Sequence, residues 1–326
     1  MKSLYAVSKN GLQELEGSAE LSSAMWIDLH APSPEEETEV ERALGIDIPT
    51  REEMREIEES ARIYEEYGAL FLTAVMIAGV SERRPARSEV SFVLTPEHLV
   101  TVRYSDPLPF KTFQQKCSRK PEDHNSSDLL FISLVEQIVA RIADVLEKVT
   151  TELDSVAGDI FHEEGAVAKK DTHPPQIDLQ GAVRRLGRSS ALLGKLRESL
   201  LSFSRILSFT RQSAESWLKP EVKTKAASLE RDIASLTEYS EHLAGQIGHL
   251  QEATFSLINI DQNRVIKVFS IAAVLFLPPT LVATMYGMNL KNMPELNWTL
   301  GYPFSLLLMV VSALVPFYWL KRKGWL

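Results

Sequence analysis

Asn263–Leu326 reads NRVIKVFSIAAVLFLPPTLVATMYGMNLKNMPELNWTLGYPFSLLLMVVSALVPFYWLKRKGWL. No charged residue lies between Lys267 and Lys291, and none between Glu295 and Lys321. Each gap holds roughly twenty residues or more, enough for a helix to cross a hydrocarbon core of about 30 Å. The polar turn from Tyr286 to about Gly301 then lies on one side of the membrane. Arg264, Lys267 and the Lys321-Arg322-Lys323 cluster lie on the other. Positive-inside bias assigns that basic side, with all of the preceding chain, to the cytoplasm. The expectation is a two-span membrane protein with a large cytoplasmic body.

The turn carries more than an anchor needs. Tyr286-Gly287-Met288-Asn289 closes the first span, and Met293-Pro294-Glu295-Leu296, Trp298 and Gly301-Tyr302-Pro303 lead into the second. Gly287 reads as a helix stop, since glycine takes positive φ without a Cβ clash. Asn289 then stands at the outer mouth with an amide oxygen free to face a cation or its water shell. YGMN followed by MPEL, between two C-terminal spans and a basic tail, resembles the signature of the CorA magnesium transporter family. The likeness extends back through Pro278-Pro279-Thr280-Leu281, forward to the Lys-Arg-Lys-Gly-Trp-Leu end, and to TREEMREIEESARIYEE at Thr50–Glu66. It implies an α+β N-terminal domain, a long-helix stalk and two C-terminal transmembrane helices, assembled as a funnel-shaped homopentamer. It also implies a bacterial inner (plasma) membrane location with both termini cytoplasmic. The cargo it implies is Mg²⁺, with Co²⁺ or Ni²⁺ also passed, and cytoplasmic Mg²⁺ as regulator.

The whole chain is compatible with this. The 326 residues allow a soluble domain, a helical stalk and spans. With 44 acidic against 35 basic residues the net charge is −9, which argues against nucleic acid as a partner. Cys117 is the single cysteine, so no intrachain disulfide forms, and it is expected to be structural. No apolar run follows Met1-Lys2, so no cleaved signal peptide is expected. GxxxxGK[ST] and post-strand GxGxxG signatures are missing, so no nucleotide is expected to energise transport. The membrane potential would supply about 4.6 kcal/mol per 100 mV for a divalent ion.

Residues 1–125 alternate strand and helix patterns and are expected to form the cytoplasmic domain. Strands are expected at Ser3–Val7, Ala24–Leu29, Ala69–Ala78, Glu89–Leu94 and Leu99–Tyr104. Ser33-Pro34 with Glu36 is a capping box, and Thr50 with Glu53 a second, predicting a helix over REEMREIEESAR. Residues 126–262 are expected to be long helices. Leu134, Ile138, Ile142, Val145, Val149, Leu153, Val156 and Ile160 mark one apolar face. After a polar break at 163–175, Leu186, Leu193, Leu196, Leu200, Phe203 and Leu207 mark a second. The third runs from near Pro220 with a 3.5-residue seam: Leu229, Ile233, Leu236, Ser240, Leu243, Ile247, Leu250, Thr254, Leu257 and Asp261. That seam predicts a stalk packed partly on copies of itself. It continues into the first span, 263–286, with a loop at 287–301, a second span at 302–320 and a basic tail at 321–326.

Two helices enclose no interior, so a pore requires several copies around an axis; the resemblance implies five. Asn263, Ile266, Ser270, Ala273, Leu277, Thr280 and Thr284 form one stripe of the first span. The resemblance places Asn263, Ile266, Phe269, Leu277 and Thr280 on the pore, so the two sets differ near residues 269 and 270. Polar rings at Asn263 and Thr280 suit hydrated ions, and apolar rings at Ile266, Phe269 and Leu277 suit gating by dewetting. Mg²⁺ sheds water reluctantly, so neutral oxygens from Tyr286–Asn289 suit it better than carboxylates, with Glu295 concentrating cations outside. Pro278 and Pro279 are expected to bend the helix.

The resemblance further implies a regulatory Mg²⁺ site between subunits. Glu252 is the expected stalk carboxylate, with Asp261 near it and Glu82 or Glu89 as N-terminal partners. His162 and His173 lack the spacing of a zinc site. The rival readings are a zinc transporter of the ZntB branch, a non-conducting membrane-anchored scaffold, and a metal-dependent hydrolase that lacks any supporting ligand cluster.

Overall fold

The computed structural model describes residues 1–8, 11–15, 21–80, 85–119, 124–161, 178–288 and 298–325. They divide into two compact units, Met1–Gln251 and Glu252–Leu326.

The first unit is built on a mixed sheet of seven strands: β1 (Lys2–Ser8), β2 (Gly11–Glu14), β3 (Trp26–His30), β4 (Ile63–Glu66), β5 (Ala69–Ala78), β6 (Ala86–Leu94) and β7 (Leu99–Arg103). Their order is β2-β1-β3-β7-β6-β5-β4. Among the described strands only β3 and β7 pair in parallel, with Asp28 opposite Thr101. A buried network pins that register. Asp28 accepts from the Thr101 hydroxyl at 2.7 Å and from Arg103 Nη2 at 2.9 Å. One face of the sheet covers a core that includes Leu4, Ile27, Leu29, Val40, Met54, Phe71, Val93 and Val102. On the other, Phe92 meets Phe131 and Phe203 edge-on, so β6 packs against the long helices.

Helix α1 (Pro34–Leu44) forms as its ends predict. Ser33 and Glu36 complete a capping box, proline opens the first turn, and Gly45 closes it at φ 66°. The second capping box also forms, with Glu53 Oε2 accepting from Thr50 N–H at 2.8 Å. Yet the helix predicted after it does not follow. Only a 3₁₀ turn at Glu53–Arg55 and another at Glu59–Ala61 form, and Ile63–Glu66 pairs with β5 as an edge strand. The physical reason is the lack of a buried stripe. Met54 is 1% exposed but Ile57 is 92% exposed, while Tyr64 stacks on Phe71 at 4.7 Å. Tyr67 and Gly68, both at positive φ, make the two-residue turn into β5.

Among the described residues, α1 is followed by α2 (Leu108–Arg119), α3 (Ser127–Phe161), α4 (Leu179–Ser213) and α5 (Pro220–Tyr286). Every apolar position expected on the faces of α3 and α4 is buried. Arg185 joins these helices, donating to Glu152 at 2.7 Å and to Ser155 at 2.8 Å. The seam of α5 is covered in part within the chain. Leu229, Ile233, Ser240, Leu243, Ile247, Leu250 and Thr254 are buried within the single chain. Thr150 bonds Tyr239 at 2.7 Å, Arg197 donates to Glu241 at 2.9 Å, and Arg211 pairs with Glu230 at 3.2 Å, so α3 and α4 flank this half of the helix. A 3.5-residue repeat shows that a seam is covered and not by which helix. The polar break at 163–175 lies outside the described residues.

The second unit contains the remainder of α5 and α6 (Gly301–Arg322). Both helices are long and apolar enough to cross a membrane. Helix α5 is continuous through Pro278 and Pro279 to Tyr286.

Candidate pore and metal sites

Residues beyond Thr254 on α5 emerge from cover. Ile266, Phe269 and Leu277 are 61%, 71% and 65% exposed, and Asn263 and Thr280 are exposed too. Ile271, Leu275, Pro278, Val282 and Tyr286 form a half-buried stripe on the same helix. The stripe expected to line a pore is offset from it by two positions, about half a turn at 3.6 residues per turn. Helix α6 has a matching shielded line through Gly301, Ser305, Ser312 and Leu320. The five family positions therefore stand on the open side of α5.

The hydroxyl at Thr280 has a definite polarity. Thr280 Oγ1 donates to the Phe276 carbonyl at 2.7 Å, and Thr284 Oγ1 donates to the Thr280 carbonyl at 2.8 Å. Each hydroxyl spends its proton on its own helix, so its lone pairs remain to accept. A hydrated cation presents water protons outward, and these are the groups such oxygens can hold.

Tyr286 ends α5, and Gly287 N–H donates to the Ala283 carbonyl at 3.0 Å. The expected positive φ at Gly287 is not seen; Gly45, Gly68, Gly79 and Gly324 are the described glycines with that conformation. What Gly287 supplies is clearance, because a Cβ there would lie 3.2 Å from the Ala283 carbonyl oxygen. Asn289 and Glu295 lie outside the described residues, as does Glu82.

The regulatory carboxylates separate in space. Glu252 and Asp261 are both exposed on α5. Nine residues apart, they sit on opposite sides of the helix and about 13.5 Å apart along it, so they cannot grip one ion within one chain. Glu89 sits in a positive setting. Its carboxylate accepts from Arg87 at 3.0 Å, and Arg87 also meets Glu198 at 3.1 Å. Among the described residues no group of three or more His, Cys, Asp or Glu is placed to hold a metal. Burial pushes the Cys117 thiol up to about 12, which removes it as a thiolate ligand.

Comparison with known proteins matches residues 22–322 to the family described as CorA-like Mg2+ transporter protein. The chain is 33% identical over 329 residues to a magnesium transport protein CorA of Salmonella typhimurium, with both chains fully covered. The Escherichia coli (strain K12) protein of that name gives the same identity and coverage. A solved structure, the complete CorA magnesium transporter of Methanocaldococcus jannaschii, aligns over 100% of this chain and 99% of its own. Its TM-score is 0.77 at 17% identity, a likeness of fold.

Proposed function

This chain belongs to the CorA-like Mg2+ transporter family, and from that premise we propose that it assembles as a homopentameric Mg²⁺ conduit driven by the membrane potential. The observation that carries the reading is the end-to-end match to magnesium transport proteins in a chain whose α5 runs unbroken to the YGMN motif. In this reading α5 from about residue 263 is the first span and α6 the second. The turn between them faces outward, and the body and basic tail face the cytoplasm of a bacterial inner membrane.

Five copies would place the open side of α5 around an axis. Asn263 and Thr280 then present acceptor oxygens to the water shell of the ion, and Ile266, Phe269 and Leu277 form dry constrictions between them. At the mouth, Tyr286–Asn289 would recognise the ion through neutral oxygens, with Glu295 raising the local cation concentration. Neutral acceptors hold a hydrated Mg²⁺ without the cost of stripping it. Co²⁺ and Ni²⁺, of similar hydrated size, would pass by the same route.

Cytoplasmic Mg²⁺ would close the assembly by bridging carboxylates of neighbouring copies. Glu252 and Asp261 are free to act at separate levels of α5, and their like charges would repel when the ion leaves. Glu89, beside Arg87, is the weaker N-terminal partner, and Glu82 stays a candidate on sequence alone.

The test is Mg²⁺ and Zn²⁺ flux into liposomes holding the purified protein, wild type against Asn289→Ala. Mg²⁺ flux exceeding Zn²⁺ flux, and falling at least tenfold in the variant, is the expected result. Unchanged flux in Asn289→Ala would remove the amide from its role, and no flux of either metal would favour a scaffold.

A further inference from the structure

The segment after α1 brings arginines to a cleft. Because Arg51 and Arg55 lie on 3₁₀ and irregular backbone and not on a surface helix, they come together with Arg87 of β6 and with Ser88, Tyr104 and Ser105. With Met54 and Glu89, these side chains line a cleft of about 130 Å³ at the end of β5 and β6. The Arg51 guanidinium sits over the Tyr104 ring, its Cζ 4.9 Å from the centroid.

The arginines of the cleft outnumber its carboxylate. Arg87 is engaged by Glu89, which also lines the cleft, and by Glu198, but Arg51 and Arg55 are exposed and pair with no carboxylate among the described residues. Nearby, Arg62 keeps a buried Nε with no hydrogen-bond partner. Its guanidinium is held below the usual range by burial and then by the positive charge of Arg87. The serines add a donor. The Ser88 and Ser105 hydroxyls lie 2.5 Å apart, so one donates to the other and the second keeps its proton to give.

We propose that this cleft binds the phosphate groups of a small polyphosphate anion, held by the guanidinium forks of Arg51 and Arg55 and a hydroxyl proton of the Ser88–Ser105 pair. Planar guanidinium groups match phosphate oxygens two at a time, giving charge-assisted bonds about twice as strong as neutral ones. The volume corresponds to roughly four waters at about 30 Å³ each, which fits a diphosphate and leaves any nucleoside outside the cleft. A phosphate-loop signature is not needed, because guanidinium groups and not loop amides would do the recognition. The inference does not rest on the transport reading and shares no residue with the proposed pore, although Glu89, a candidate regulatory carboxylate, lines the same cleft.

The experiment is calorimetric titration of the full-length protein in detergent micelles, in buffer stripped of divalent cations so that chelation plays no part. Inorganic pyrophosphate and ADP are the two probes. Saturable pyrophosphate binding is expected, weakened at least tenfold in Arg51→Ala and in Arg55→Ala. Arg55→Lys should recover part of the loss, because charge returns without the fork. Arg184→Ala, an exposed arginine on α4, should bind as wild type, and all variants should melt as wild type. ADP binding tighter than pyrophosphate supports the site and names a nucleotide as its source; equal or weaker binding supports it with free polyphosphate as source. No saturable binding of either probe, or equal loss in Arg184→Ala, overturns the proposal.

Discussion

The two halves of α5 differ in apolar content and meet opposite fates. From Leu229 to Leu250 the seam positions Leu229, Ile233, Leu243, Ile247 and Leu250 are buried beside the chain's own α3 and α4, and the facing side is charged. From Val268 to Tyr286 the helix carries no charge, is apolar nearly all round and is mostly exposed, with Phe276 and Leu281 at 71% and 62%. A helix with one apolar stripe has found its partner within the chain; one apolar on every side needs lipid or other copies. The contrast separates a half that holds the fold from a half whose partners lie outside a single chain.

The comparison breaks most visibly at stability. Leu243→Ala, at 1% exposure, should destabilise the protein by about 2–5 kcal/mol through lost burial and a residual cavity. Thermal melting in detergent would register it. Leu277→Ala, at 65% exposure, removes the same atoms from the open side and should shift melting by less than about 1 kcal/mol. In the proposed pore its effect falls on transport. A smaller side chain at the proposed Leu277 constriction admits water, so Mg²⁺ flux in liposomes should rise several-fold. Equal melting shifts in the two variants would erase the distinction between the halves.

How far the sequence carried these conclusions depended on whether the signal was local. The faces of α3 and α4 were legible because an i, i+3, i+4 repeat states its own burial. Helix α1 was legible because Ser33, Pro34, Glu36 and Gly45 act within one turn of its ends. The spans, and the motif between them, needed only an apolar run and four residues. What stayed hidden was the choice of partner. The seam of α5 does not reveal whether α3 or a second copy covers it, and β4 exists because β5 offers it an edge. The Thr50–Glu53 box announced a helix start that Ile57, left exposed, could not sustain. At the site, the pore stripe could be proposed from spacing, whereas the clearance at Gly287 and the arginine cleft required coordinates.

A smaller effect is expected where α5 ends. Gly287→Ala would set a methyl 3.2 Å from the Ala283 carbonyl, a contact relieved only by moving backbone near the motif. We expect a cost of about 1 kcal/mol in local strain and a several-fold fall in Mg²⁺ flux, with melting nearly unchanged because the body is untouched. Flux at the wild-type level would show that the turn tolerates the shift and that the close approach has no part in positioning the mouth.

The smallest expected effect lies in the covered half, at Arg197→Ala. Arg197 donates to Glu241 at 2.9 Å, yet the two side chains are 45% and 59% exposed. Water screens such a pair, and ordering two long side chains offsets much of the attraction, so the loss should be about 0.2–1 kcal/mol. It should shrink further as salt is raised from 0.05 to about 0.5 M, where the Debye length falls to a few ångströms. Melting measured across that range would separate two accounts of the upper half of α5. A small, salt-sensitive shift means that Leu243 and its apolar neighbours hold the helix to α4, with the ion pair only trimming its register. A shift as large as that of Leu243→Ala would mean that charge and not burial holds it, and the contrast between the halves would have to be restated in electrostatic terms.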